Sequence, residues 1–233
     1  MENLKRCIIG AKYTDEITEL ESIGFKCITF SENKNLDDEI NSHTDIHCIK
    51  LTGKILLADY VTAGELSQKI SDYKIIAVNN IKSPYPNDIK LNTAIFGNKI
   101  VCNSKCTAKE IIDFQSKNKL ELVNTKQGYT KCNLCVVTDN AVITEDAGLA
   151  YLLKNYQIDV LKIEPGFVQL SENHYGFIGG ASGKVADDEI YFSGNISEHP
   201  DYKMIDEFLN KYNIKPIYNE NRKLSDFGGL IVL

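Results

Sequence analysis

The sequence is short of several things, and each shortage removes a class of protein. No apolar run approaches the roughly 20 residues that a membrane-spanning helix needs. The opening stretch, Met1–Glu16, turns charged within a few residues and has no signal-peptide core. No membrane, anchor or signal peptide is therefore expected. Basic residues are outnumbered, 26 Lys and Arg against 32 Asp and Glu, for a formal net charge of −6. That disfavours a nucleic-acid protein working through a broad basic face, although a local patch stays open. Seven scattered cysteines, an odd number, build no disulfide framework and read as reduced thiols of a cytoplasmic protein.

Familiar site motifs are missing as well. The four histidines have no metal-ligand spacing of the HExxH kind, and His43 and His199 fall in turn-rich stretches where solvated rings are expected. Gly179–Lys184 imitates a phosphate loop, but Ile178 stands at its first-glycine position and Val185 follows the lysine. Cys102/Cys106 and Cys132/Cys135 could be zinc thiolates, yet only one pair has the usual CxxC spacing, and buried packing is the default for thiols. No metal and no cofactor are expected.

What is present is repetition in a chain of 233 residues with ordinary globular composition, long enough to bury a core. Asp88–Asn103 lies in register on Tyr129–Thr144: Lys90 on Lys131, Asn92 on Asn133, Ala94 on Cys135, Ile95 on Val136, Val101 on Val142. Each segment reads as a hairpin turning at a polar pair, Asn98-Lys99 or Asp139-Asn140. A helical stretch and a β-branched strand follow each hairpin, so the period is ββαβ. The same order recurs with turns at Gly53-Lys54 and Asp187-Asp188. The N-terminus supplies strand, helix and strand (Arg6–Lys12, Thr14–Ile23, Phe25–Phe30), and the first strand of that unit is expected from Leu224–Leu233. The reading is one α/β domain of five units, near 224–233 with 1–35, 43–80, 86–126, 128–165 and 176–220, closed into a ring by the C-terminal strand.

Five ββαβ units closed in this way resemble the pentein or αβ-propeller fold of guanidino-modifying enzymes, and more narrowly an uncharacterised clostridial-type family of that fold. The resemblance implies a nucleophilic cysteine in a Gly-Gly-x-(Ile/Pro)-x-Cys closing strand and a His-x-Asp or similar histidine on another strand. Gly228-Gly229-Leu230-Ile231-Val232-Leu233 matches the glycines but puts Leu233 at the thiol position, and Ser182–Asp187 has no histidine. No catalytic group carries over residue by residue, and fold alone does not fix function.

Strand alternation assigns a second set of residues. With the apolar residues facing the helices, Asp45, His47, Lys90, Asn92, Lys131, Asn133, Ser182 and Asp226 point toward the axis, with the lysines pairing the aspartates. Cys135 lies one step along this face, where a neighbouring lysine lowers a thiol's pKa, and is the candidate nucleophile. Thr144-Glu145-Asp146 precedes a helix and reads as its cap, or as a source of carboxylates at the pore mouth. The expected function is binding of a small polar or anionic ligand in the pore, without standard arginine, agmatine or dimethylarginine hydrolysis, so that anions stabilise the chain more than arginine analogues do. The alternatives are a hydrolase or transferase on guanidino or amidino compounds, using Cys135 with Asp45, Asp139 or Asp226, and a macromolecular partner like the ribosome anti-association factor of the same fold.

Overall fold

The computed structural model describes residues 5–233, so the first four residues of the expected N-terminal unit lie outside the described residues. The chain opens with β1 (Lys5–Gly10), α1 (Thr14–Ser22) and β2 (Phe25–Phe30). A single helical turn, α2 (Thr44–His47), leads to β3 (Cys48–Lys50), β4 (Ile55–Asp59), α3 (Tyr60–Lys69) and β5 (Lys74–Val78). Next come β6 (Ala94–Phe96), β7 (Lys99–Cys102), α4 (Lys109–Asn118) and β8 (Glu121–Asn124). A second helical turn, α5 (Thr130–Asn133), precedes β9 (Cys135–Thr138), β10 (Ala141–Thr144), α6 (Ala147–Lys154) and β11 (Asp159–Lys162). The chain finishes with β12 (Ser182–Ala186), β13 (Glu189–Phe192), α7 (Tyr202–Lys211), β14 (Lys215–Ile217) and β15 (Ile231–Val232).

These strands form five sheets of three, which fit five repeats. In each sheet the middle strand pairs antiparallel with the first strand and parallel with the third. The middle strand therefore has neighbours on both edges and cover on both faces. That is why it reads as an unbroken apolar run, such as Ile55–Ala58 or Ala141–Ile143, rather than as an alternation. The C-terminal strand β15 takes the first place beside β1, with Val232 opposite Cys7 and Ile231 opposite Ile8. Caps fix where helices begin: Asp59 accepts from the Val61 amide at α3, and Asp146 from the Leu149 amide at α6.

Five apolar clusters fill the spaces between sheets. Ile8, Phe30, Leu56 and Leu66 join the first two units, and Leu57, Leu91 and Ile111 join the second and third. Val101, Val142 and Leu153 join the third and fourth. Ile143, Phe192 and Leu209 join the fourth and fifth, and Cys7, Leu20, Tyr191 and Phe227 join the fifth back to the first. Each fully buried Leu or Ile side chain contributes on the order of 2 kcal/mol of transfer free energy. Stability therefore resides at the joints between units. Among the described residues no helix is long and apolar enough to cross a membrane.

The structure departs from the expected alternation at one recurring place. Asp45 and His47, like Lys131 and Asn133, sit in the helical turns α2 and α5, just before their strands begin. Residues two apart then differ by about 200° around a helix instead of sharing one face of a strand. The pairs expected to point together are split.

Candidate functional site

The approaches to the first strands are joined to one another by hydrogen bonds. The Asp45 amide donates to the Gly228 carbonyl (3.0 Å), Gly229 to Gly180 (2.8 Å), and Gly180 to Cys132 (2.9 Å). The Asn92 side chain closes the gap, accepting from the Lys131 and Cys132 amides at 2.8 and 3.2 Å and donating to the Asp45 carbonyl at 3.3 Å. Two glycines allow this close approach. A Cβ on Gly180 would lie 2.0 Å from Asp226 Oδ1, and Gly228 holds φ at +73° with the His43 backbone 2.4 Å from where its Cβ would be.

Inside this junction lies Cys132. Its thiol donates to Asp45 Oδ2 at 3.0 Å and accepts from Asn92 Nδ2 at 2.9 Å. Asp226 stands alongside, accepting from the Phe177 and Gly228 amides at 2.9 Å each, and His43 Nδ1 is 3.6 Å from its Oδ1. That last separation suits a charge contact but exceeds a hydrogen bond, so both His43 nitrogens are buried without a hydrogen-bond partner. Asp45 Oδ1 and Glu145 Oε1 are likewise unpartnered, while Glu145 Oε2 accepts from the Ile178 amide. Native interiors rarely leave so many polar atoms unmet in one place.

Electrostatics follow from burial. Asp45 is pushed up to about 7, chiefly by burial and further by Asp226, with Lys131 opposing. Burial raises Glu145 to about 7 as well, and lowers His43 so that the neutral ring prevails. Cys132 is held well above the ordinary thiol range by burial and then by the fields of Asp45 and Asp226. In the resting molecule it is a protonated thiol.

Other residues of the expected pore set are placed elsewhere. His47 points away from the centre, its Nδ1 against Asp59 (2.9 Å) and Thr62 (2.8 Å) and its Nε2 against the Asn41 carbonyl (2.7 Å). Lys90 donates to the Asn79 carbonyl at 3.4 Å and pairs with neither aspartate. Asn133 turns back on its own helical turn, donating to the Tyr129 carbonyl at 2.8 Å. Asn92 is at the centre, but its amide is consumed by the junction. His43 and His199, expected in solvent, are 1% and 4% exposed, because a histidine's apolar ring body packs readily when a loop folds over it. Cys135 is buried, and its pKa is raised by that burial against the weaker influence of Lys131 and Lys184. Leu233 packs with the cluster of Ile8 and Leu66. Cys132, His43 and Glu145 are the central groups that alternation did not select. His43-Thr44-Asp45 is itself a His-x-Asp, on a different unit from Ser182–Asp187.

Two cavities flank the Asp45–Cys132 contact and share no wall residue. The first, of about 450 Å³, has Cys132, His43 and Asp226 at its base and Asp37, Glu39 and His174 in its walls. Tyr85, Tyr129 and Phe177 form a row of tilted rings beside it, with centroids 5.8 and 6.3 Å apart, and the Tyr129 hydroxyl is fixed on Asp88 at 2.5 Å. The second, of about 380 Å³, is bordered by Asp45, Lys50, Lys131, Lys184, Cys135 and Ser182. One cavity is thus acidic and aromatic and the other basic.

Comparison with known proteins adds a family and a fold. The model of a family of unknown function (DUF6873) matches residues 8–231, and the chain belongs to that family. No curated protein matches it. Among solved structures, a dimethylarginine dimethylaminohydrolase of Pseudomonas aeruginosa, a cysteine-to-serine mutant complexed with citrulline, superposes with a TM-score of 0.55 at 11% identity, covering 95% of either chain. Agmatine deiminase of C. jejuni gives 0.56 at 12% identity, covering 95% of this chain and 80% of its own. An amidinotransferase of Microseira wollei from saxitoxin biosynthesis gives 0.59 at 11%, covering 97% and 89%. At such identity the likeness shows the fold, which is that of the pentein superfamily.

Proposed function

We propose that this chain, a DUF6873 member with the pentein fold, binds a small planar cation of the amidino or guanidino class in the acidic chamber, with Cys132 as the thiol that reacts with it. The observation that carries the reading is the placement of the Cys132 thiol, 3.0 Å from Asp45 and beside Asp226 and His43, at the base of an acidic and aromatic chamber. The fold neighbours act on compounds of this class, which supports the substrate side of the reading. We also read the five units as a closed ring in a single domain. The cluster joining the fifth unit to the first supports this, and so does the pairing of β15 with β1.

The chemistry follows from the electrostatics. An amidinium seated against Asp226 in the acidic chamber, with Asp45 behind the thiol, offsets the negative field that keeps Cys132 protonated. The thiol proton then passes to Asp45 Oδ2, the oxygen to which it already donates, and sulfur adds to the amidino carbon. The C–N bond breaks, and its electron pair leaves on an amine that takes a proton from Asp45. Neutral His43 then accepts a proton from the second nucleophile as it adds to the same carbon. The C–S bond breaks with its electron pair leaving on sulfur, and the thiolate regains the proton from His43. Water in that role gives hydrolysis and an amine gives transfer.

A second reading, a small polar or anionic ligand without catalysis, is favoured by the lysines of the other cavity. A panel of guanidino and amidino compounds tests the first. Release of ammonia, urea or amine is expected for at least one compound, with an acid-quenched adduct on Cys132. Cys132→Ser should lower turnover by about a thousandfold or more. Equal turnover in Cys132→Ser would contradict the thiol's role.

A further inference from the structure

The basic cavity lies on the far side of Asp45 from the Cys132 thiol and is equipped for a different ligand. Lys50, Lys131 and Lys184 border it, and each ammonium donates to a backbone carbonyl, of Val232 (2.9 Å), Gly179 (3.2 Å) and Val137 (2.9 Å) respectively. Among the described residues none of the three has a carboxylate within 4.0 Å. Asp139, an acid on the same wall, is engaged by the Gly97 amide at 3.2 Å, and Asp45, pushed up to about 7 by burial, carries only part of a negative charge at neutral pH. The cavity therefore keeps an excess of positive charge.

Two further observations indicate what fits. The hydroxyls of Thr44 and Thr93 are on the wall, 0% and 2% exposed, and have no hydrogen-bond partner. A buried hydroxyl left unmet costs on the order of 1–3 kcal/mol, which a bound acceptor recovers. The remaining wall is apolar, from Ile49, Leu91, Ile95, Val136 and Leu230. Phosphate needs polar partners on every side, whereas a carboxylate carried on a hydrocarbon body matches a wall that is cationic at one part and aliphatic at another. The volume falls within the range of small-molecule sites.

We propose that this second cavity binds a small organic acid, its carboxylate between Lys131 and Lys184 with the Thr93 and Ser182 hydroxyls, and its apolar body against Ile95, Val136 and Leu230. Cys132 itself is not in the wall of this cavity, and the two cavities have no wall residue in common.

Titration calorimetry of the full chain near neutral pH tests this with hexanoate, hexylammonium and inorganic phosphate. Hexanoate is expected to bind saturably, phosphate at least about tenfold more weakly, and hexylammonium not measurably. Lys184→Gln should weaken hexanoate about tenfold. Lys131→Gln should do the same, with melting curves to confirm that each variant folds. Cys132→Ser should bind it like the parent chain, so failure of the thiol reading leaves this result intact. No hexanoate binding at about 10 mM would overturn the proposal. So would hexylammonium or phosphate binding as tightly as hexanoate, or unchanged affinity in both folded lysine variants.

Discussion

The two chambers on either side of the Asp45–Cys132 contact are built from adjacent stretches of the same chain, yet they differ in sign and in character. Toward one side the chain presents Cys132, His43 and Asp226 from turns and loops, with aromatic rings beyond them. Toward the other it presents Lys131, Lys184 and Ser182 among aliphatic strand residues. Lys131 and Cys132 are neighbours in one helical turn, and that turn sends the cation one way and the thiol the other. A single layer of side chains thus separates two chemistries, which a shared pore would have mixed.

The change with the largest expected effect removes what both chambers share. Deleting residues 228–233 strips β15 from β1 and takes away the glycine backing His43. Exposing an edge and a joint between units should abolish cooperative melting, as followed by circular dichroism. Next is Gly180→Ala, which forces a methyl group to within 2.0 Å of Asp226. A loss of about 3 kcal/mol is expected, lowering Tm by roughly 6–12 °C. The control, Gly64→Ala, meets nothing within 4 Å in the middle of α3, and should be neutral or stabilising by up to about 1 kcal/mol.

A smaller effect sharpens the electrostatic contrast. Asp45 and Glu145 both titrate near 7 in the folded chain, against ordinary values of 3.8 and 4.5. Because the folded values are the higher ones, the folded state binds more protons than the unfolded state over this interval. That stability is complete below about pH 4 and is lost as pH rises through about 7. Melting temperature should therefore fall on going from pH 5.5 to pH 8, and Glu145→Gln should flatten part of that slope. An unchanged slope in this variant would show that Glu145 does not carry it.

The units were legible in the sequence because hairpin turns and strand periodicity are local signals. Phe25–Phe30 and the turn at Asp139-Asn140 needed no distant contact to be found. The pairing of β15 with β1 followed from a strand missing at one end and supplied at the other. The site was less legible, since helical turns replaced strand at α2 and α5 and moved His47 and Asn133 off the expected face. His43 read as a loop residue because its burial depends on Gly228, nearly two hundred residues away. Asn92 had the right place but an unexpected task, tying backbone amides rather than facing a ligand.

The most direct measurement is a short pulse of 2-chloroacetamidine or iodoacetamide near pH 7, followed by peptide mass spectrometry of each cysteine. The cationic reagent should seat against Asp226 and release the thiol proton to Asp45, whereas the neutral reagent meets a thiol held in its protonated form. The account predicts that chloroacetamidine modifies Cys132 first, at least about tenfold faster than iodoacetamide does, and that Asp226→Asn removes the difference. Equal labelling of Cys132 by the two reagents, or modification of Cys135 ahead of it, would contradict the claim.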